Sequence, residues 1–243
     1  MESIYQQTFL IDDHAVDRYG RLKLSMLLSY AQEVASRHIT ALSMNYETLA
    51  DQGMFWAVVR HRVQITRLPC RDERIRVETW PMPSTRTAFP RSVVAYDEDG
   101  NEVFRTIALW VLMDIRTRAM ILPGKSGLIV PGTLRGNELA APSSLSPRVL
   151  QQHAARTVRF TDLDRNGHMN NTRCMDWIDD LLPSTFHETH TAKELTVCYL
   201  AEAREGQNLD LHWDLLEEGG LQVDAHRQEE DRDARVFSAR ILY

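Results

Sequence analysis

The sequence predicts an α+β fold made twice over, each time a helix laid against an antiparallel sheet. Three observations carry it. Residues 22–39 place Leu24, Leu27, Leu28, Ala31, Val34 and Ala35 at helical spacing. Beyond residue 59 the apolar period changes to two. After a stretch rich in proline and glycine at 123–147, the same order of elements starts again.

The first half opens with an extended segment, Gln7–Ile11, and a polar stretch from Asp12 to Arg21, before the apolar helix. A second, short helix is expected at Ala41–Asp51. In Val59–Thr66, Val59, Val63 and Ile65 share a face with His61, which is strand alternation. Arg74–Trp80 alternates in the same way through Ile75, Val77 and Thr79. Ser92–Tyr96 and Glu102–Asp114 flank Asp99-Gly100, a hairpin turn signal.

Pro123, Gly124, Gly127, Pro131, Gly132, Gly136, Pro142 and Pro147 interrupt any regular element and mark a connection between domains. Ala155–Phe160 then reads as a strand and Asp162–Asn171 as a polar loop. Cys174, Ile178, Leu181 and Leu182 form a helical stripe that stops before Pro183. Glu194–Tyr199, Asn208–Leu215, Leu221–Arg227 and Ala234–Leu242 follow as strands, with Glu218-Gly219-Gly220 as a turn. Asp17-Arg18-Tyr19-Gly20 precedes the first helix as Asp164-Arg165-Asn166-Gly167 precedes the second, which favours duplication.

A helix wrapped by an antiparallel sheet is the hotdog arrangement. One such unit leaves a sheet edge open, and two units joined edge to edge bury it. The expectation is therefore a tandem (double) hotdog fold, two long helices each wrapped by an antiparallel sheet. Its parts are an N-terminal domain at 1–125, a linker at 126–150 and a C-terminal domain at 151–243.

Composition narrows the function classes. With 43% hydrophobic and 26% charged residues the chain has an ordinary globular balance, and its net charge of -6 argues against a bulk nucleic-acid binder. No apolar run approaches the ~20 residues of a membrane span. Residues 1–7 show no basic region leading into an apolar run, so no signal peptide is expected and a cytoplasmic location is. Cys70, Cys174 and Cys198 are too scattered for a disulfide frame or zinc knuckle, and read as reduced, buried thiols.

Chemistry concentrates in Asp164-Arg165-Asn166-Gly167-His168-Met169-Asn170-Asn171. Asp164, Asn166 and His168 at i, i+2 and i+4 project to one side of an extended segment. The segment leads into a helix start, whose unpaired N–H groups suit a developing oxyanion. A carboxylate and an imidazole can then activate water, or the carboxylate can attack directly. A thioester suits such equipment, because a thiolate leaves easily. The same residue types also build ordinary capping loops, and spacing alone leaves that reading open.

The pattern Asp164-x-Asn166-x-His168-x-Asn170-Asn171 resembles the D-x-N-x-H-x-N-N signature of acyl-ACP thioesterases, the plant plastid enzymes and their bacterial relatives. Trp56-x-Val58-Val59-x-x-x-Val63-Gln64-Ile65, Glu78-Thr79-Trp80 and Leu195-Thr196-Val197-x-Tyr199 are similar to strand segments of that family. The resemblance implies hydrolysis of fatty acyl-ACP without a cofactor. In the family a glutamate follows the histidine by about 34 positions, which falls on Glu202, so it implies a site of Asp164, Asn166, His168 and Glu202. Some relatives carry a cysteine just after that glutamate; here the position is Ala203, which favours a carboxylate-led mechanism. Asp164 would be nucleophile or general base, His168 and Glu202 would organise water and protons, and Asn166 would orient Asp164 or donate to the oxyanion. The implied partner is an acyl carrier protein bearing a 4'-phosphopantetheine-linked acyl chain, and a homodimer is left open.

The first half has Tyr19 and Arg21 where the second has Asn166 and His168, so it is expected to hold the acyl chain rather than to react. Arg86, Arg91, Arg116, Arg118 and Lys125 are candidates for a basic rim facing an acidic carrier, or for ordinary surface. His187-Glu188-Thr189-His190 is not the H-E-x-x-H zinc helix and reads as a surface turn. Trp56, Trp80, Trp110, Trp177 and Trp213 are expected in packing. Competing functions are an acyl-CoA thioesterase of the same fold and a non-catalytic acyl-binding module. A hotdog dehydratase lacks a matching histidine–acid pair.

Overall fold

In the computed structural model, which describes residues 3–136, 138–217, 219–229 and 232–243, one strand order is drawn twice. The first half runs β1 (Tyr5–Leu10), α1 (Leu24–Ala41), α2 (Tyr46–Asp51), β2 (Met54–Ile65), β3 (Arg74–Pro81), β4 (Phe89–Tyr96) and β5 (Glu102–Asp114). A short β6 (Met120–Ile121) folds back on β5. The second half runs β7 (Gln152–Thr157), α3 (Arg173–Asp179), α4 (Ser184–Thr189), β8 (Glu194–Tyr199), β9 (Asn208–Leu215), β10 (Gly220–Glu229) and β11 (Arg232–Leu242). Of the residues read above, Met1, Glu2 and Glu218 lie outside the described set.

The spatial order is β1-β3-β4-β5-β2-β8-β11-β10-β9-β7. Counted from either end, each half places its first, third, fourth, fifth and second strands in that sequence. The halves meet where β2 pairs antiparallel with β8, from Arg60↔Cys198 to Gln64↔Glu194. Arg62 grips Glu194 across this seam with two bonds of 2.9 and 3.2 Å. A central strand in a continuous ladder has no open edge there, so the junction needs no other cover.

Helix α1 forms because its apolar positions recur every three to four residues. Leu24, Leu27, Leu28, Ala31, Val34, Ala35 and His38 all turn inward. Each buried leucine contributes about 2 kcal/mol. The stripe packs on Val63, Ile75, Val77 and Val93 of the sheet in one core that also takes in Cys174, Met175, Trp177 and Ile178 of α3. Polar bonds tie the helices together: Ser25 Oγ donates to Asp176, and Ser29 Oγ lies 3.3 Å from Thr172 Oγ1.

Four expectations change. The second helix is not long: α3 has seven residues. Pro183 disfavours helical geometry at Leu182, and the loop before α3 runs on to Thr172. In β2 a bulge between Val58 and Arg60 breaks the alternation, so Val58 rather than Val59 is buried in line with His61 and Val63. Cys70 is exposed, whereas Cys174 and Cys198 are buried. The His187–His190 segment is the end of α4 rather than a bare turn, with His190 stacked on Phe186 at 4.0 Å.

Residues 126–150 carry no regular helix or strand among those described. They cross the outer face of the sheet: Ser143 and Ser146 offer carbonyls to Cys198 Sγ and Gln222 Nε2, and Gln151 N–H donates to Asp214.

Candidate active site

Residues 159–169 form a tight loop rather than the extended run the spacing suggested. A 3-10 turn at Phe160–Asp162 leads into it, and Gly167 takes a φ of +73°, which spares the chain a strained side-chain position. Asp164 holds the loop together. Its Oδ1 accepts the N–H groups of Asn166 (2.8 Å) and His168 (3.2 Å), and its Oδ2 accepts Asn166 Nδ2 (3.2 Å). The same carboxylate thus serves the capping role and stands beside the cleft.

His168 is brought to Glu202 by backbone pairing. His168 bridges Arg204, and Met169 N–H donates to Ala203 O at 2.8 Å, which sets residue 202 alongside residue 168. His168 Nε2 and Glu202 Oε2 lie 3.3 Å apart. The other carboxylate oxygen of Glu202 is paired with Arg118 Nη2, which comes from the first half, and its carbonyl accepts from Arg227 Nη1. Burial pushes the His168 imidazole below its usual value; Asp164 opposes this, while Arg204 and Arg118 add to it. The balance favours the neutral imidazole.

The helix start offers fewer free amides than expected. Met169 and Asn170 N–H donate to Ala203 O and Asp162 O, and Thr172 N–H donates to Asn170 Oδ1. Asn170 thus holds the turn that leads into α3, whose N-cap is Thr172. The Asn171 amide has no acceptor among the described residues and borders the cleft.

Asp164, Asn166, His168 and Glu202 share the wall of one cleft of about 440 Å³ with Phe55, Trp56 and Trp110 of the first half. All four sequence-predicted residues are therefore together. A second cleft of about 350 Å³ also borders Asp164 and Asn166 and runs along α1, past Ala35, Ile39, Trp56, Phe89 and Trp110. Cys174 borders the first cleft, but its thiol bonds to Asn171 O at 2.8 Å and burial pushes its pKa up, so it is not a ready nucleophile. Among the described residues no group of three or more His, Cys, Asp and Glu is arranged to hold a metal.

Two family models match the chain, the acyl-ACP thioesterase N-terminal domain over residues 2–122 and the acyl-ACP thioesterase C-terminal domain over 148–243. The chain belongs to the acyl-ACP thioesterase family. A chloroplastic palmitoyl-acyl carrier protein thioesterase of Gossypium hirsutum is 25% identical over 214 residues, covering 82% of this chain and 52% of its own length. A chloroplastic dodecanoyl-[acyl-carrier-protein] hydrolase of Cinnamomum camphora is also 25% identical, with 82% and 56% covered. The chain thus spans about half the length of the curated relatives it matches. Among solved structures, an acyl-ACP thioesterase of Bacteroides thetaiotaomicron superposes with a TM-score of 0.88 at 23% identity, covering 99% of this chain and 97% of that one. The 12:0-ACP thioesterase of Umbellularia californica gives 0.83 at 21%, covering 100% and 97%. These structures share the fold.

Within this acyl-ACP thioesterase family frame, the basic rim loses one member. Arg91 is buried, with Nη1 3.1 Å from both His38 Nδ1 and Thr79 Oγ1, and burial lowers its pKa to about 10. Arg86, Arg116, Arg118 and Lys125 are exposed. Sequence reading missed the cleft roles of Phe55, Trp56 and Trp110, and the contact of Arg118 with Glu202. Trp80 and Trp177 are core residues as expected, at 1% and 6% exposure. The aromatic pair at 55–56, near the start of the bulged strand β2, was the available signal for the wall.

Proposed function

We propose that this chain hydrolyses fatty acyl thioesters of acyl carrier protein, releasing a free fatty acid and the carrier's thiol. The observation that carries the reading is the 3.3 Å contact of His168 with Glu202 in the aromatic-walled cleft that Asp164 also lines, Asp164 bordering the second cleft as well. Membership of the family and the names of its relatives supply the carrier.

Asp164, Asn166, His168 and Glu202 form the catalytic group. Both oxygens of Asp164 already accept bonds from the loop, which favours a charge that shapes the site over a free attacking group. The uncharged His168 takes a proton from water as the water oxygen bonds to the thioester carbon. Glu202 fixes the ring and, with Asp164, steadies the imidazolium. The Asn171 amide holds the carbonyl oxygen as it gains charge. Collapse breaks the C–S bond, and His168 returns the proton to the departing sulfur. Atoms balance as thioester plus water giving acid plus thiol.

The cleft along α1 is the place for the acyl chain, which gives the first half its role in binding. The free state of all three cysteines fits a reducing cytoplasm.

The test is thiol release from one acyl group offered on acyl carrier protein and on coenzyme A, with wild-type and His168→Ala protein. The reading expects higher kcat/KM on the carrier protein and loss of both activities in the variant. Equal or better turnover of the coenzyme A ester would make the chain an acyl-CoA thioesterase. No turnover of either would leave a binding module.

A further inference from the structure

We infer that Arg118, supplied by the turn after β5 in the first half, is a positioning residue for the reaction: it locks the Glu202 carboxylate against His168 in the second half. The inference rests on the catalytic group proposed above and adds a member to it.

The turn is built to present this side chain. Asp114 Oδ1 accepts the N–H groups of Arg116 (2.9 Å) and Thr117 (2.7 Å) and the Thr117 hydroxyl (2.9 Å). The Arg118 N–H closes the turn on Asp114 O at 3.0 Å. Arg118 itself sits at a φ of +57°, a left-handed position that costs a non-glycine residue about 1 kcal/mol. Its guanidinium lies over the Phe55 ring, 4.6 Å from the centroid. That stacking fixes the plane of the fork.

The fork then meets Glu202 Oε1, while Glu202 Oε2 faces His168 Nε2 at 3.3 Å. Glu202 and Arg118 side chains are both about 40% exposed, at 40% and 43%. An exposed glutamate held only by histidine would sample several rotamers; one held at both oxygens does not. Arg118 also adds to the forces that keep His168 unprotonated. A carrier's phosphate would compete for the same fork, and the two roles separate in kinetics: a positioning residue moves kcat, a phosphate ligand moves KM.

The experiment measures kcat, KM and the pH profile of kcat/KM for Arg118→Met and Arg118→Lys, with Arg37→Met, an exposed arginine that borders neither cleft, as a control and thermal melting as a check on folding. The expected result for Arg118→Met is about a tenfold fall in kcat with KM within about twofold. The acidic midpoint of its pH profile should move up, toward the ordinary histidine value. Lysine, which keeps the charge without the stacked fork, should restore the midpoint but only part of kcat. Arg37→Met should change neither. A raised KM with unchanged kcat and midpoint, or unchanged kinetics throughout, overturns the inference. If His168→Ala is still active, the catalytic reading itself fails. If His168→Ala is inactive and Arg118→Met is wild-type, only the role of Arg118 fails.

Discussion

The loops at 12–22 and 159–169 have almost the same backbone and opposite fates. Asp17 Oδ1 accepts from Tyr19 and Arg21 N–H at 2.8 and 3.0 Å, as Asp164 Oδ1 accepts from Asn166 and His168. Gly20 and Gly167 have φ of +76° and +73°. Val16 bridges Leu22 and Arg21 bridges Cys70, just as Leu163 bridges Met169 and His168 bridges Arg204. Leu22 N–H donates to Pro69 O as Met169 N–H donates to Ala203 O, so Leu68 occupies the place of Glu202.

The side chains make the difference. Arg21 turns back to Asp17 Oδ2 with bonds of 3.1 and 3.0 Å and reaches His187 O and Thr191 Oγ1 in the other half. Tyr19 OH donates to Ser184 O. The first loop is spent on holding α4, whereas the second faces a cleft. An aspartate in this loop is thus a scaffold in both halves, and reactivity depends on what stands at the third and fifth positions and across from them.

The comparison can be broken in order of effect. His168→Ala should lower kcat by on the order of a thousandfold with the melting temperature nearly unchanged, measured by thiol release. Retained turnover would mean that the two loops do not differ in chemistry. Glu202→Leu imports the first loop's residue; its kcat should fall by roughly 10- to 100-fold, less than for the histidine because the imidazole remains. Gly167→Ala and Gly20→Ala meet open space but an unfavourable φ, so each should cost about 1 kcal/mol in denaturant unfolding. Only the first should also slow catalysis. A triple graft of Tyr19→Asn, Arg21→His and Leu68→Glu in a His168→Ala background should give no turnover, because α4 covers that loop. Activity there would show that side chains alone decide.

Much of this was legible from local pattern. The α1 stripe, most strands and the turn at Asp99-Gly100 follow from periodicity and turn chemistry; Asp164, Asn166 and His168, which share one cleft, stand in one motif, and Glu202 beside them was reached only through the family resemblance. What escaped depends on distant contacts. The β2 bulge moves Val59 off the buried face, which alternation alone cannot reveal. The length of α3 is limited at both ends, by Pro183 and by a loop whose last turn Asn170 holds through Thr172. The burial of Arg91 depends on His38 and Thr79, 53 and 12 positions away. Arg118 and Glu202 are 84 apart, and they meet only across the two halves.

That seam carries a consequence for how the molecule works as a machine part. Phe55 and Trp56 lead the strand whose later residues pair with β8, so the cleft wall and the strand that leads to Glu202 are mounted on one hydrogen-bonded beam. Slippage by a single rung would carry Arg118 and the aromatic wall away from the imidazole together. Inserting or deleting one residue in β2 should therefore silence turnover even in a chain that still folds.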